Sequence, residues 1–266
     1  MALPIPTNPE PIARLREIVH SLRAPGGCQW DIEQTHVTLI ANMLEEAYEV
    51  AAAIRNEDTE HIVEELGDLL LQVVMHAEIA SETDRFVLED IAKVVGDKLI
   101  RRHPHVFGES DATDIEAVLK QWDEIKLQEK GETRTPYLKD VGEGLTALMT
   151  ATKLQKKASK VGFDWEDIPA VLAKVKEELA EVEEAMANPS APSAIEEELG
   201  DLFFSLVNLS RKQGLDSETL LANANEKFRR RFHAVEDTLR TEGNSLEKAN
   251  LEEMDAAWNQ IKGEER

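Results

Sequence analysis

Two short carboxylate patterns occur in this chain, and each occurs twice. Glu45-Glu46-x-x-Glu49 returns as Glu177-Glu178-x-x-Glu181, and Glu65-Leu66-Gly67-Asp68 returns as Glu198-Leu199-Gly200-Asp201, at offsets of 132 and 133 residues. On a helix, positions three and four apart share a face, so Glu45 and Glu46 stand over Glu49, and Glu65 over Asp68. A solvated helix face usually sets Lys four residues after Glu, and like charges in that place cost about 0.2–0.5 kcal/mol per pair. Five acids recurring in register are not explained by an acidic composition. They make sense as a cation site. Hard oxygen donors, with neither thiolate nor imidazole in the pattern, suit Mg²⁺, with Mn²⁺ as a substitute, better than zinc. A divalent ion held by carboxylates in turn suits phosphate chemistry.

Basic residues stand out against this acidic background. Lys227, Arg229, Arg230 and Arg231 form one cluster, echoed by Lys98, Arg101 and Arg102 at an offset of 129. Lys227 and Arg231 are a helical turn apart and could grip phosphate oxygens together. Trp258 and Lys262 have the same spacing and could supply a ring to stack on a base and a further phosphate contact. Trp258-Asn-Gln-Ile-Lys262 is itself an echo of Trp122-Asp-Glu-Ile-Lys126. Lys174 precedes Glu178 by one turn, where the first copy has Asn42.

The elements that must position these groups are helices. Ile40, Met43, Leu44, Ala47, Ala51 and Ile54 follow the 3.6-residue period, which predicts an apolar stripe opposite the Glu45/Glu46/Glu49 arc. Leu69 to Ala77 is apolar nearly all round, and Leu202 to Val207 largely so, which predicts that each Glu-x-x-Asp pair sits at the mouth of a buried helix. Gly67 and Gly200 lower helix propensity and are expected to permit a close approach of backbone or ligand. Breaks fall at Pro25-Gly26-Gly27, His103-Pro104, Gly131 to Pro136, Asn188 to Pro192 and Gly243. The expected fold is all-α, a tandem repeat of two helical-bundle domains of about four helices each. The first spans 1–130, a polar linker 131–141, and the second 142–266.

Composition narrows the partners. The formal net charge is −23 over 266 residues, which disfavours broad binding to nucleic acid or to anionic membrane. Cys28 is the single cysteine, so no intrachain disulfide forms and a reducing, cytoplasmic setting is expected. The N-terminal residues lack a signal-peptide pattern, and no apolar run reaches the roughly 18 residues of a membrane span. Phosphate-binding glycine loops and His-Asp dyads are absent, and Glu33-x-x-His36 has no copy in the second half, where Pro169 stands in the place of His36.

The duplicated Glu-Glu-x-x-Glu and Glu-x-x-Asp pairs, joined to Trp30-Asp31-x-x-Gln34-Thr35-His36, Arg101-Arg102-His103-Pro104-His105-Val106-Phe107-Gly108 and Gly162-Phe163-Asp164-Trp165, resemble the MazG nucleoside triphosphate pyrophosphohydrolases over essentially the whole chain. Gln29 departs from the family's usual Pro before Trp-Asp. The resemblance implies hydrolysis of NTPs or dNTPs to the monophosphate and pyrophosphate, Mg²⁺ dependence and a homodimer. A homodimer is also expected from apolar surface on more than one helix face. The family's metal ligands fall on Glu178, Glu181, Glu198 and Asp201, with a second set at Glu46, Glu49, Glu65 and Asp68. Its nucleotide contacts fall on Lys174, Glu177, Glu197, Lys227, Arg231 and Trp258; Arg230 and Lys262 join them from the cluster spacing. Glu177 and the four C-terminal ligands form the expected catalytic set, and the richer basic complement points to the second half as the main catalytic one.

Overall fold

The computed structural model describes residues 3–130, 136–187 and 192–265. Among these the only regular elements are helices. The chain divides into two compact units, Met1–Thr133 and Arg134–Arg266. Of the expected linker, residues 131–135 lie outside the described residues, as do 188–191 of the Asn188–Pro192 break.

The first unit contains α1 (Pro11–Arg23), α2 (Gln29–Glu33), α3 (Ile40–Arg55), α4 (Thr59–Ser81), α5 (Leu88–Arg102), α6 (Pro104–Phe107) and α7 (Ile115–Lys130). The second contains α8 (Ala147–Ser159), α9 (Ile168–Ala187), α10 (Pro192–Lys212), α11 (Ser217–Thr241) and α12 (Leu251–Glu264). Local chemistry starts and stops them. Asp58 and Asp216 cap α4 and α11 by accepting from the backbone N–H of His61 and Thr219, and Asn250 with Glu253 forms a capping box on α12. His103-Pro104 ends α5, since the residue before a proline is driven out of the helical region. Among the described residues each unit has five helices of thirteen or more residues, rather than about four. α1 and α8 are the addition, and they pack on α4 and α10 respectively.

In both units the central pair is the one that bears the acids, α3 along α4 and α9 along α10. Its inward face corrects the stripe expected from periodicity. Ile40, Leu44 and Ile54 are 49%, 50% and 54% exposed, whereas Val50 and Ala53 are buried and Asn42 and Glu46 half-buried. The buried face of α3 is therefore the arc that carries Glu46. α9 does the same, burying Val171, Glu178 and Val182 while Leu172, Leu179 and Met186 stay outside. α4 is a core helix as expected: Val74, Met75 and Ile79 close on Val19 and Leu39. His76 beside them stacks on His36 with ring centroids 5.0 Å apart, and burial foremost, then His36, holds its imidazole below the usual range. α10 departs from expectation. It buries Ser205, Val207 and Asn208 and leaves Phe203 and Leu206 on the outside.

Nothing lies within 4 Å of a Cβ built on Gly67 or Gly200, so the close approach expected there is not made within either unit. Each is an interior helical glycine with open space beside it. Gly67→Ala and Gly200→Ala should therefore each stabilise the protein by about 0.5–1 kcal/mol, because alanine loses less backbone freedom on entering a helix. Thermal melts check this; a lowered melting temperature would reveal a neighbour at that face.

Candidate metal and nucleotide site

Packing α3 on α4 brings Glu46, Glu49 and Glu65 together, with one carboxylate oxygen from each lying within 4.8 Å of the others. Packing α9 on α10 does the same for Glu178, Glu198 and Asp201. Each trio takes donors from both helices of its pair, so neither exists without the packing. The fourth expected ligand differs between the units: Asp68 stands outside the first trio and Glu181 outside the second. Both remain electrostatically close. Burial first, then Asp68, Glu49, Glu65 and Glu45, pushes the Glu46 carboxyl up. Burial, then a hydrogen bond and the charge of Glu178, pushes Glu181 up, with Lys174 opposing.

Each trio has a polar partner from a turn earlier on the same helix, an imidazole in the first unit and an ammonium in the second. His61 Nε2 lies 2.8 Å from Glu65, and Lys174 Nζ lies 2.7 Å from Glu178 and 2.9 Å from Glu177. Hydrogen bonds to Glu178 and Glu177 push the Lys174 ammonium well above its ordinary value. Lys174 thus faces the carboxylates here, where the sequence suggested a phosphate contact. Three all-oxygen donor groups at this spacing form a set that a small hard cation could draw together.

The basic cluster is arranged differently from the sequence expectation. Arg230 and Arg231 both donate to Glu265, each within 2.7 Å, and Arg229 pairs with Glu226. The first unit repeats this with Arg101 and Arg102 on Glu129. Hydrogen bonds from Arg102 and then Arg101 lower the Glu129 carboxyl to about 2. Glu129 and Glu265 stand 136 residues apart, the offset of Trp122 and Trp258, so this acid belongs to the repeat. That spacing was a usable signal, and attention to the arginines obscured it. Trp258 is half-buried in the α11–α12 core, tilted against Phe228 at 5.4 Å with the Arg231 guanidinium 5.7 Å above its ring. Lys227 and Lys262 are exposed and make no ion pair among the described residues, and Glu197 is exposed on α10.

Beside the second trio lies a cavity of ≈ 290 Å³. Glu178, Asp201 and Lys174 line one part of it, and Trp165, Val171, Phe204, Ser205 and Asn208 line the rest. The sequence reading singled out Trp165 only as part of a motif, and missed Ser205 and Asn208. Their spacing from Asp201, four and seven residues along one helix face, was the available signal.

Residues 34–107 and 167–235 match the MazG nucleotide pyrophosphohydrolase domain. A Thermotoga maritima protein named nucleoside triphosphate pyrophosphohydrolase/pyrophosphatase MazG is 44% identical over 249 residues, covering 94% of both chains. An Escherichia coli nucleoside triphosphate pyrophosphohydrolase is 45% identical over 257 residues, covering 96% of this chain and 98% of its own. The uncharacterized Bacillus subtilis protein YabN is 44% identical over 94% of this chain, which matches 51% of that longer protein.

A carboxyl whose folded pKa is raised contributes stability that is present below its unfolded value and lost as pH rises through the folded one. Glu46 and Glu181 are of this kind. In the presence of a chelator at pH 7, Glu46→Gln and Glu181→Gln should each melt at a higher temperature than the parent. The gain should shrink by pH 4, where the parent carboxyls are themselves protonated. Melts at the two pH values decide it, and a gain that grows towards pH 4 would reverse the sign argued here.

Proposed function

The chain belongs to the MazG nucleotide pyrophosphohydrolase family and hydrolyses nucleoside triphosphates to the monophosphate and pyrophosphate, and we propose that its second unit does most of this work on a divalent ion, Mg²⁺ with Mn²⁺ as a substitute. Glu178, Glu198 and Asp201 would hold the ion, with Glu181 closing the set. One observation carries the choice of unit: Glu178 and Asp201 belong both to the carboxylate trio and to the wall of a cavity large enough for part of a substrate. The donor chemistry supports the ion, since all the groups are hard oxygens.

The ion, when bound, would neutralise phosphate charge and polarise a water. The protein's own groups supply the rest. Water adds to phosphorus as the bond to the bridging oxygen breaks, pyrophosphate leaves with that oxygen or with the water's, and the water's proton passes to a carboxylate. Glu177, exposed and paired with Lys174 beside Glu178, would accept it. Lys174, released from Glu177 and Glu178 as the ion takes over their charge, would turn to the phosphates. Lys227 and Lys262, exposed on α11 and α12, would add cationic contacts, whereas Arg230 and Arg231 would reach substrate only by exchanging Glu265 for a phosphate.

The same reading includes a homodimer in the cytoplasm. Its support is the displaced apolar face: the stripes on α3 and α9 and Phe203 and Leu206 on α10 are uncovered within their own units. No helix among the described residues is long and apolar enough to cross a membrane.

Three measurements test the proposal. Excess EDTA should abolish pyrophosphate release, and Mg²⁺ or Mn²⁺ should restore it; activity that persists would remove the ion from the mechanism. The double variant Glu181→Gln with Asp201→Asn should lose at least about a hundredfold in turnover, while Glu49→Gln with Asp68→Asn retains most of it. Each lost charged contact weakens binding by about 1.5–3 kcal/mol, and the reverse pattern would move the active site to the first unit. Light scattering should give the mass of two chains, or of a multiple, and Phe203→Glu should reduce it; a monomeric parent at micromolar concentration would refute the dimer.

A further inference from the structure

Away from the carboxylates, the first unit holds a polar cluster that takes no part in the proposed chemistry. His36, in the connector between α2 and α3, sets Nδ1 2.8 Å from Nδ1 of His76 on α4, with the two rings parallel to within 3°. On its other side His36 Nε2 lies 2.8 Å from Arg85 Nη2, in the turn after α4. Asp84 in that turn has φ +52°, in the left-handed region that aspartate tolerates. The chain doubles back there, so that the Arg85 N–H donates to the Ala80 carbonyl at 3.0 Å and Arg85 Nε to Thr83 Oγ1 at 2.9 Å.

Counting donors fixes every hydrogen in this chain of three side chains. A guanidinium only donates, so His36 Nε2 is bare and accepts from Arg85. A neutral imidazole with one bare nitrogen carries its hydrogen on the other, so His36 Nδ1–H donates to His76 Nδ1. His76 then carries its own hydrogen on Nε2, which is buried and meets no acceptor among the described residues. The same order argues against a metal on the pair, since one His36 nitrogen is a donor and the other faces a cation. One more proton has no free place either. On His36 Nε2 it would set an imidazolium against the guanidinium, and on His76 Nδ1 it would set N–H against N–H. Either breaks a hydrogen bond.

The surrounding charges do not relieve that conflict. Arg23 and His20 of α1 are taken up by Glu82 at 2.6 Å and Glu78 at 2.7 Å, both on α4. Glu33 of α2 accepts from Gln29, Glu89 of α5 pairs with Arg16, and α3 brings no charge before Glu45. Asp31 of α2 and Asp90 of α5 complete the set, Asp90 accepting from the Val87 N–H. No carboxylate bonds either ring among the described residues. Burial, then His36, holds the His76 imidazole below its usual range.

We propose that His36, His76 and Arg85 form an acid-released clasp on the connector into α3, closed while both imidazoles are neutral and opened when the pair takes up one proton. The connector is otherwise held by short local bonds. Thr35 and Thr38 exchange N–H to hydroxyl bonds at 2.8 and 3.2 Å, and the Leu39 N–H donates to the Thr35 carbonyl at 3.2 Å. Leu39, 1% exposed, closes on Val19 and Val74, and the helix it opens carries Glu46 and Glu49. The sign follows from a folded state that binds the proton less readily than the unfolded chain. The clasp contributes fully above the ordinary histidine value of about 6.5, and that contribution is lost as pH falls below it. The second unit lacks the device, having Pro169, Leu209 and Glu218 at the positions 133 later.

Hydrogen exchange of the full-length protein, read by mass spectrometry and corrected for the intrinsic effect of pH, tests the clasp. In the parent, protection across residues 34–40 should fall by about tenfold or more between about pH 7.5 and 5.5, while α9 and α10 change by less than about threefold. Arg85→Met alters an exposed side chain and lets His36 Nε2 take the extra proton with the bond to His76 intact. Its connector should therefore lose less than about threefold over the same range. His76→Leu, which installs the second unit's residue, should also flatten the dependence; because Arg85 is exposed, the result does not hang on the folding of this buried variant. Ring ¹H–¹⁵N spectra of the parent at about pH 7.5 should show hydrogen on His36 Nδ1 and on His76 Nε2. Connector protection indifferent to pH in the parent, an equal fall in Arg85→Met, or the opposite tautomers would each overturn the clasp.

Discussion

In each unit the packing of two helices brings carboxylates together, and much of the remaining architecture answers to that arrangement. Bringing Glu46, Glu49 and Glu65, or Glu178, Glu198 and Asp201, within 4.8 Å sets like charges together in partly dry surroundings. Burial first, and then the neighbouring carboxylates, raises the proton affinity of Glu46 and Glu181. Only a compensating cation makes the arrangement comfortable. Lys174 supplies part of that compensation in the second unit. A divalent ion held there, as proposed, would supply the remainder.

Turning the acid face inward has a consequence for the apolar residues. A helix buries about one stripe of its surface in a small bundle. If that stripe contains Glu46 or Glu178, then Ile40, Leu44, Leu172 and Leu179 are displaced to the outside. The exposed apolar surface is thus the counterpart of the polar centre. A second copy of the chain would cover it without disturbing the site, which is why association and catalysis belong to one proposal.

The duplication left the two units alike in their acids and unlike around them. Both keep an arginine pair clamped on a distal glutamate, joining α5 to Glu129 of α7 in the first unit and α11 to Glu265 at the end of α12 in the second. They part at the cavity wall. The second unit holds Ser205, Asn208 and Arg211 on one face of α10, and the first fills the same register with Gln72, Met75 and Glu78. An amide held by a guanidinium keeps a polar group in the cavity wall, whereas a buried thioether packs in the core.

Helical class, the duplication, the positions of both carboxylate groups and the repeat of the Lys/Arg and Trp segments were all legible in the residues, because they depend on spacing within one helix. The periods that set Glu46 over Glu49 hold wherever the helix sits. Packing decided what spacing could not. The stripe Ile40/Leu44/Ile54 and the arc Asn42/Glu46/Val50/Ala53 are both valid faces of one α-helix, and only the approach of α4 selects the second. The 136-residue offset could mark Glu265 as a repeated acid, but not that Arg230 and Arg231 close on it, since that ion pair joins side chains 34 and 35 positions apart. Asn208 lay in plain view between Val207 and Leu209. Its tie to Arg211, and that arginine's tie to Asp164 47 positions away, came only from the fold. Spacing along a helix fixes which groups share a face; the partner helix, through the interactions it can satisfy, decides which face is the inside.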